Sequence, residues 1–278
     1  MDDRADAPGS TPLLTDKHYE APSVFRAENL LREARRQKNL PEGAVPAICV
    51  LDPDGDLVRH LLASGVGRKS AVWGCYHTDM VEFEADGITF GVVGCAVGAS
   101  FAVLIAEQMF ASGCRLLISI TSSGQIADVG PTPYFILIDR ALRDEGTSHH
   151  YLPPAPFAFA SADLVEAARG GLGQTGLRVI TGATWTTDAP YRETEAAIAA
   201  ARGRGILAVE MEAAALYAFA TACGRPVLCF AHVTNQMAQT EGDFEKGEAG
   251  GAHDAIRLLV AAARACNPAE RSHQPRCG

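Results

Sequence analysis

Short apolar runs alternate with longer apolar or amphipathic segments through most of the chain. The short runs predict strands at 47–51, 88–94, 115–120, 134–138, 177–183, 206–209 and 226–233. The longer segments predict helices at 23–39, 55–64, 100–113, 161–173, 190–202, 211–223 and 249–265. The polar stretch TSSGQ at 121–125 predicts a turn. Strands separated by helices favour parallel pairing, with helices on both faces of the sheet.

The predicted fold class is therefore α/β, a single-domain three-layer α/β/α architecture with a mixed, mainly parallel central sheet. We expect one domain over residues 45–266, because no linker of shifted composition interrupts that region. Residues 1–22 are predicted to be a flexible N-terminal arm, 23–44 an N-terminal helix extension that Ser23 caps, and 267–278 a flexible tail.

In an open sheet of this kind, ligands bind at the carboxyl ends of the strands. The turns after residues 51, 94, 120, 183, 209 and 233 are therefore the expected site.

Composition narrows the functional classes. The chain of 278 residues has a net charge of -9, which argues against nucleic-acid binding because that needs a basic surface. No run approaches the ~18 apolar residues of a membrane span, so we expect no membrane association. The 8 cysteines are scattered without a C-x-x-C pair. This spacing predicts neither a zinc site nor a disulfide framework, and it favours a reducing cytoplasm.

Two glutamates lie in an apolar context where a predicted strand meets a predicted helix. In VEMEAAALYAFA, residues 209–220, Glu210 and Glu212 flank Met211. A buried carboxylate without partners is unfavourable, so each of these side chains needs hydrogen-bond donors. One interpretation is that a ligand supplies them. The other is that both glutamates are helix N-terminal residues favoured by the helix dipole.

Together with three further segments, this stretch resembles the nucleoside phosphorylase superfamily. The matching branch holds uridine phosphorylase, hexameric purine nucleoside phosphorylase and the methylthioadenosine nucleosidases. The three segments are GDLVR at 55–59, AVGASFAVLIAEQMFASGCRLLISITSSGQI at 96–126 and GATWTTDAPYRETE at 182–195. The resemblance spans roughly residues 45–265 and implies that 45–266 is a nucleoside phosphorylase-like catalytic domain.

The resemblance implies a ribose site at the two glutamates. Glu212 would accept hydrogen bonds from the 2'- and 3'-hydroxyls, Met211 would pack on the sugar, and Glu210 would support the site. A vicinal diol offers two donors to one carboxylate, and charge-assisted bonds of this kind compensate for desolvation.

The resemblance also implies a phosphate site at Gly55 and Arg59, in the pattern G-D-x-x-R of the uridine phosphorylases. An arginine suits this role because its planar fork donates to two phosphate oxygens. The alternative is an ordinary solvent-facing arginine. Where the family commonly has a second phosphate arginine, this chain has Ser119.

Other groups are candidates for the same phosphate. The hydroxyls and amides of Thr121, Ser122 and Ser123 can bind an anion. In the segment from which family members lend an arginine to a neighbouring subunit, the candidate here is His77.

The base end departs from the family pattern. Hexameric purine enzymes have Ser-Asp where this chain has Thr234 and Asn235. An asparagine cannot protonate the base, but it can hydrogen-bond to a purine N7 or a carbonyl. The loop that reads uracil in uridine phosphorylases lacks its glutamine and arginine pair here, and the polar groups available are Asp188, Arg192 and Glu193. Either Tyr191 or Trp185 could stack on the base or belong to the core, and the choice between purine and pyrimidine stays open.

The resemblance implies cleavage of the N-glycosidic bond of a nucleoside, by phosphorolysis to free base and ribose 1-phosphate. Glu212, Asn235 and Asp188 are the expected catalytic residues, phosphate is the co-substrate, and no metal or other cofactor is expected. We expect a homo-oligomer built from dimers, up to a hexamer. The alternatives are a nucleosidase that uses water and a nucleoside-binding protein without turnover.

Overall fold

The computed structural model describes residues 11–237 and 241–266 and contains one mixed sheet between two layers of helices. The strands are β1 (Ile48–Asp52), β2 (Arg68–Lys69), β3 (Val81–Ala85), β4 (Ile88–Gly94), β5 (Leu116–Gln125), β6 (Tyr134–Asp144), β7 (Phe157–Phe159), β8 (Val179–Thr187), β9 (Ile206–Glu210) and β10 (Val227–Asn235). The helices are α1 (Ala27–Lys38), α2 (Asp56–Ala63), α3 (Ala99–Ala111), α4 (Ala162–Leu172), α5 (Glu195–Gly203), α6 (Ala213–Cys223) and α7 (Ala252–Cys266). The predicted fold class is confirmed.

Half of the sheet closes on itself. The strand order is β10-β6-β8-β9-β5-β1-β4-β3-β2, and β10 also pairs with β5. Strands β5, β10, β6, β8 and β9 thus form a ring, from which β1, β4, β3 and β2 extend. The open sheet expected from the sequence is correct only for this extension, because apolar periodicity does not report which strands meet at their edges.

Strand direction follows from these connections. The pairs β1–β4, β1–β5, β5–β10, β6–β8 and β8–β9 are parallel. Antiparallel pairs join β2 and β7 to the sheet, join β3 to β4, and close the ring at β6–β10 and β5–β9. The sequence pattern did not predict β2 and β7, which have two and three residues. It also did not predict β3, whose sequence VEFEA alternates apolar and charged residues instead of forming an apolar run.

Two apolar cores cover the two faces of the sheet. One contains α3 and α6, whose residues Ala102, Ile105, Met109, Leu216 and Tyr217 are almost fully buried. The other contains one face each of α2, α4 and α7. A helix that is apolar all round must be buried on all sides. This explains why α6 begins deep inside the molecule, at the predicted site.

Several strands continue past the predicted ends. The stretch at 121–125 is not a turn, because β5 runs through it and pairs with β10 and β9. Strand β8 likewise extends to Thr187, and β6 to Asp144. The extensions of β5 and β8 carry Ser and Thr residues, which local sequence preference assigns to turns, and that of β6 carries charged residues. Long-range pairing with apolar neighbours overrides that preference here.

The N-terminal helix begins later than predicted. Helix α1 starts at Ala27, and its cap position is Arg26, so Ser23 does not cap it. The hydroxyl of Ser23 instead donates to the carbonyl oxygen of Phe25 at 2.8 Å. Helix α5 also starts at Glu195 rather than 190, because a 3₁₀ turn occupies Pro190–Arg192.

Residues 11–20 contact the segment that follows β6. Lys17 Nζ lies 3.1 Å from His150 Nδ1, and the Tyr19 hydroxyl donates to the carbonyl oxygen of His149 at 3.4 Å. The first half of the predicted arm, residues 1–10, and the predicted tail at 267–278 lie outside the described residues.

No helix in the described part of the chain has the length and apolar character to cross a bilayer. Seven cysteines lie in that part, and all seven are free thiols. Within 11–237 and 241–266, no group of three or more His, Cys, Asp or Glu side chains could hold a metal ion.

Candidate active site

The two glutamates of the VEMEA stretch occupy different environments. Strand β9 ends at Glu210 and helix α6 begins at Ala213, so Met211 and Glu212 form the connection. Glu210 and Glu212 are 3% and 1% exposed, so both carboxyl groups depend on partners inside the protein. Met211 is half-buried beside them.

The carboxylate of Glu210 is fully engaged by the protein. It accepts from the hydroxyls of Thr184 (3.1 Å) and Thr186 (2.5 Å) on β8, and from the amides of Glu212 and Ala213 (both 2.7 Å). It thus satisfies donors at the first turn of α6 and ties that turn to β8. For Glu210, the helix N-terminal interpretation is the one that fits the structure.

Glu212 is far less satisfied. Its Oε1 accepts one hydrogen bond, from the amide of Gly98 at 2.7 Å. Its Oε2 is buried and has no hydrogen-bond partner among the described residues. A buried carboxylate oxygen without a donor is rare and unfavourable. The arrangement can accept hydrogen bonds from a ligand without breaking any bond within the protein.

The Gly98 amide reaches Glu212 because of an unusual backbone conformation. Gly98 has φ 91° and precedes the first turn of α3. Side chains disfavour this region of φ, so glycine is the residue that allows the loop between β4 and α3 to turn its amide inward. Gly98 lies in the segment 96–126 that carries the resemblance and in the turn region expected after residue 94, but no role was predicted for it.

Electrostatics of the pair follow from burial. Burial, and after it the negative charge of Glu210, raise the pKa of Glu212 to about 8, although the Gly98 amide and the Thr121 hydroxyl act in the opposite direction. Burial also raises the pKa of Glu210, but its four donors favour the charged form. In the free protein at neutral pH, the shared proton therefore belongs on Glu212.

Strand β5 brings the predicted hydroxyl residues to both faces of the sheet. Side chains alternate along a strand, so Thr121 and Ser123 lie on the face of α3 and α6 while Ser122 points to the opposite face. Ser122 Oγ lies 2.9 Å from Thr234 Oγ1 on β10. Ser119, at the position of the missing arginine, is buried, and its hydroxyl has no partner in the described part of the chain.

The Ser122 amide donates a hydrogen bond to an aspartate that the sequence analysis did not identify. Asp54 Oδ2 accepts from this amide at 2.7 Å. Asp54 follows β1, and its charge acts on Glu212 across the site. It belongs to a turn with three acidic residues, at positions 52, 54 and 56, which we call the acidic turn (residues 52–56). The sequence signal for it was the DPDGD stretch at a strand end.

Gly55 and Arg59, the predicted phosphate residues, border the acidic turn. The Gly55 amide donates to the Asp52 carbonyl oxygen at 2.8 Å. Arg59 Nη2 donates to the Asp54 carbonyl oxygen at 2.8 Å and to Asp56 Oδ1 at 2.5 Å. A Cβ atom on Gly55, whose φ is 75°, would lie 2.7 Å from the sulfur of Cys95, so only glycine fits this turn.

Thr234 and Asn235 end β10 beside β5. Asn235 Oδ1 accepts from the Met237 amide at 2.9 Å, while Nδ2 makes longer contacts to Thr234 Oγ1 (3.2 Å) and the Ser123 carbonyl oxygen (3.5 Å). The amide oxygen is thus committed to the backbone, and the Nδ2 group is the part that can donate to a base.

The remaining predicted residues are exposed and form no hydrogen bond to Glu212. Asp188 is exposed and accepts from the Gly146 amide at 2.8 Å. Tyr191 is 100% exposed, and Arg192 is also exposed. His77 is exposed, with its ring 6.5 Å from that of Phe101 in the first turn of α3.

Trp185 belongs to the core. Its side chain is 5% exposed, packs with Ile126, Ile206 and Val209, and donates to Asp144 Oδ2 at 2.9 Å. It does not stack on a base.

Comparison with known proteins adds independent information. A family model described as the phosphorylase superfamily matches residues 47–264. A DeoD-type purine nucleoside phosphorylase of Hahella chejuensis is 26% identical over 182 residues, which cover 65% of this chain and 77% of that protein. Another, from Bacillus cereus, is 29% identical over 148 residues, 52% of this chain and 63% of that protein.

Among solved structures, a uridine phosphorylase from Vibrio fischeri superposes with a TM-score of 0.67 at 22% identity. The match covers 80% of this chain and 93% of that one. At this identity the likeness establishes the fold.

Proposed function

The chain belongs to the phosphorylase superfamily, as its motifs predicted, and we propose that it is an enzyme that cleaves the N-glycosidic bond of a nucleoside. The proposed acceptor is inorganic phosphate, and the products are free base and ribose 1-phosphate. The observation that carries the proposal is the buried Oε2 of Glu212, which has no donor within the described residues.

The proposed role of Glu212 is to bind the ribose diol. The Gly98 amide orients the carboxylate through Oε1, which leaves Oε2 for the sugar hydroxyls. Bonds from the diol favour the charged carboxylate, so nucleoside binding lowers the pKa that burial had raised. A charged Glu212 then stabilises the positive charge that grows on the ribose as the glycosidic bond breaks. Met211 would pack against the sugar.

The leaving base and the acceptor would lie on either side of this sugar. Asn235 Nδ2 is the proposed donor to the base, since its Oδ1 is held by the Met237 amide. Arg59, Gly55 and the Ser122 hydroxyl are the proposed phosphate ligands. Asp188, Tyr191 and Arg192 would contribute to base binding only if their exposed loop moved toward Asn235.

Relatives named for purine and uridine substrates suggest both base classes for this chain. We propose no metal and no organic cofactor, because charge stabilisation and positioning are sufficient for this chemistry. We also propose a homo-oligomer built from dimers, up to a hexamer, in which the exposed His77 is lent to a neighbouring site. Light scattering would contradict this part by giving the mass of a monomer.

Incubation with a panel of purine and pyrimidine nucleosides tests the proposed function. We expect release of free base, detected by chromatography, with ribose 1-phosphate formed only when inorganic phosphate is present. A panel in which no nucleoside of either class loses its base, with or without phosphate, would contradict the proposed activity. Nucleoside binding measured by titration calorimetry in that case would support a binding protein without turnover.

Asp54 favours hydrolysis as a second candidate function. Its carboxylate accepts the hydrogen bond of the Ser122 amide, which would otherwise be available to a phosphate oxygen. The arginine expected at position 119 is also absent. In a hydrolase, Asp54 could accept a proton from the attacking water as the base leaves.

The Asp54→Asn variant separates the two acceptors because the expected effects have opposite signs. In a phosphorylase, the neutral side chain removes a negative charge from the anion site, and the KM for phosphate should fall severalfold. In a hydrolase, loss of the base should reduce phosphate-independent cleavage by about a hundredfold or more. Rates of base release with and without phosphate decide between them.

A further inference from the structure

A lysine far along the chain reaches the acidic turn. Lys246 Nζ donates to Asp56 Oδ2, although the two residues are 190 positions apart. The other oxygen of Asp56 accepts from Arg59 Nη2 at 2.5 Å. One carboxylate therefore bridges two cations, which holds their charged ends within a few ångströms of each other.

Both cations keep donors for a ligand. An ammonium has three N–H donors and a guanidinium has five, and Asp56 uses one of each. The side chain of Lys246 is 28% exposed and that of Arg59 is 61% exposed. Lys246 lines a small cavity together with Asp54, Asp56 and the predicted phosphate residue Ser122. Arg59 is not part of that lining and is joined to it through its hydrogen bond to Asp56.

The loop that carries Lys246 is anchored next to the base-binding residues. The amide of Glu245 donates to the Thr234 carbonyl oxygen at 2.8 Å. The carboxylate of Asp243 accepts from the Gln236 amide at 2.9 Å. These bonds position the lysine between the end of β10 and the acidic turn.

The charges at this position require a second cation if phosphate is to bind. The acidic turn carries three carboxylates, at 52, 54 and 56, next to Arg59. The position of the family's second arginine is Ser119. A phosphate dianion next to that set would be repelled. Burial alone would raise the pKa of Asp56, but the hydrogen bonds from Lys246 and Arg59 lower it, so Asp56 stays charged and keeps both cations in place.

We propose that Lys246 is a second phosphate-binding cation, which replaces the arginine missing at position 119. The inference rests on the proposed phosphorolysis. In this arrangement, Arg59 and Lys246 donate to different oxygens of one phosphate while the two oxygens of Asp56 hold the cations side by side. The alternative role for Lys246 is a structural tether for the loop at 241–247.

The Lys246→Gln variant distinguishes these roles because a phosphate ligand affects the KM for phosphate and not the KM for the nucleoside. We expect the KM for phosphate to rise about tenfold because one charge-assisted bond to the anion is lost, while the KM for the nucleoside stays within about twofold. The Lys246→Arg variant should retain a KM for phosphate close to that of the wild type. Lys69→Gln is the matched control, since Lys69 forms an exposed pair with Asp79.

Binding of inorganic phosphate, measured by titration calorimetry, should weaken in Lys246→Gln and not in Lys69→Gln. An unchanged KM for phosphate, or parallel increases in both constants, would overturn the inference and indicate a tether. If the wild type releases base at full rate without phosphate, the proposed phosphorolysis itself fails, and the role of Lys246 as a phosphate ligand fails with it.

Discussion

The Glu212→Gln variant is expected to lose nucleoside cleavage by about a hundredfold to a thousandfold. A glutamine can accept a hydrogen bond from the Gly98 amide, but it carries no charge to stabilise the ribose in the transition state. The NH₂ group of glutamine is also a donor, so it cannot accept the hydrogen bonds that the diol hydroxyls donate. Initial rates of base release, measured at saturating phosphate, report this loss. Near wild-type activity would refute the ribose assignment.

The same variant is expected to be more stable than the wild type at alkaline pH. Glu212 has a raised pKa of about 8 in the folded protein, against a usual value near 4.5. Its contribution to stability is therefore fully present below pH 4.5 and is lost as the pH rises through 8. Glutamine does not titrate, so at pH 9 the variant should gain roughly 2 kcal/mol, or about 5 °C in Tm.

Thermal unfolding at pH 5 and pH 9 tests this expectation, and the gain should be much smaller at pH 5. Glu166→Gln is the control, because Glu166 lies on the surface of α4 and 75% of its side chain is exposed. A Tm for Glu212→Gln below that of the wild type at pH 9 would contradict the origin of the shifted pKa.

Replacement of Glu210 is expected to have the largest effect on folding. Glu210→Leu leaves the amides of Glu212 and Ala213 and two threonine hydroxyls without their acceptor. Hydroxyls can rotate toward other partners, but buried amides cannot, and each one left unsatisfied costs about 1–3 kcal/mol. We expect a loss of about 4 kcal/mol and a fall in Tm of about 10 °C or more.

Glu210→Gln is the matched variant, since it keeps one acceptor oxygen and can donate to the threonine hydroxyls. It should lose much less stability than Glu210→Leu. It also removes a negative charge that raises the pKa of Glu212. In the wild type, kcat/KM for the nucleoside should rise with pH toward about 8, because the diol needs the charged carboxylate. In Glu210→Gln the midpoint of that rise should move to lower pH.

Equal stability of the leucine and glutamine variants would contradict the role of Glu210 as the acceptor for the first turn of α6. An unchanged midpoint in the pH profile would instead contradict its electrostatic effect on Glu212.

Local patterns were sufficient for the strands and helices of the core. The apolar runs of β1, β4 and β10 and the all-apolar α6 have the length and composition that predict their structure, and burial on both sides explains both features. The prediction was wrong at 121–125, where Ser and Thr residues form the end of β5. Their partners on β10 lie more than 100 residues away, so local preference carries no information about them.

The site residues divide in the same way into those that local motifs identified and those that only long-range contacts bring to the site. The resemblance singled out Glu212 and Arg59, while Asp54 and Lys246 went unnoticed, because neither belongs to a matching motif. Lys246 meets Asp56 because α7 and the turn before it pack against α2.

The sequence by itself determined the superfamily, the α/β class and the candidate ribose glutamate, because these depend on local periodicity and short motifs. Only the tertiary structure decided that Glu210 is satisfied by the protein while Glu212 keeps an oxygen without a donor, within the described residues. The tertiary structure also decided which charged side chains lie at the proposed phosphate site. Hydrogen bonds and Coulomb interactions act over a few ångströms in space, and the chain order does not contain those distances.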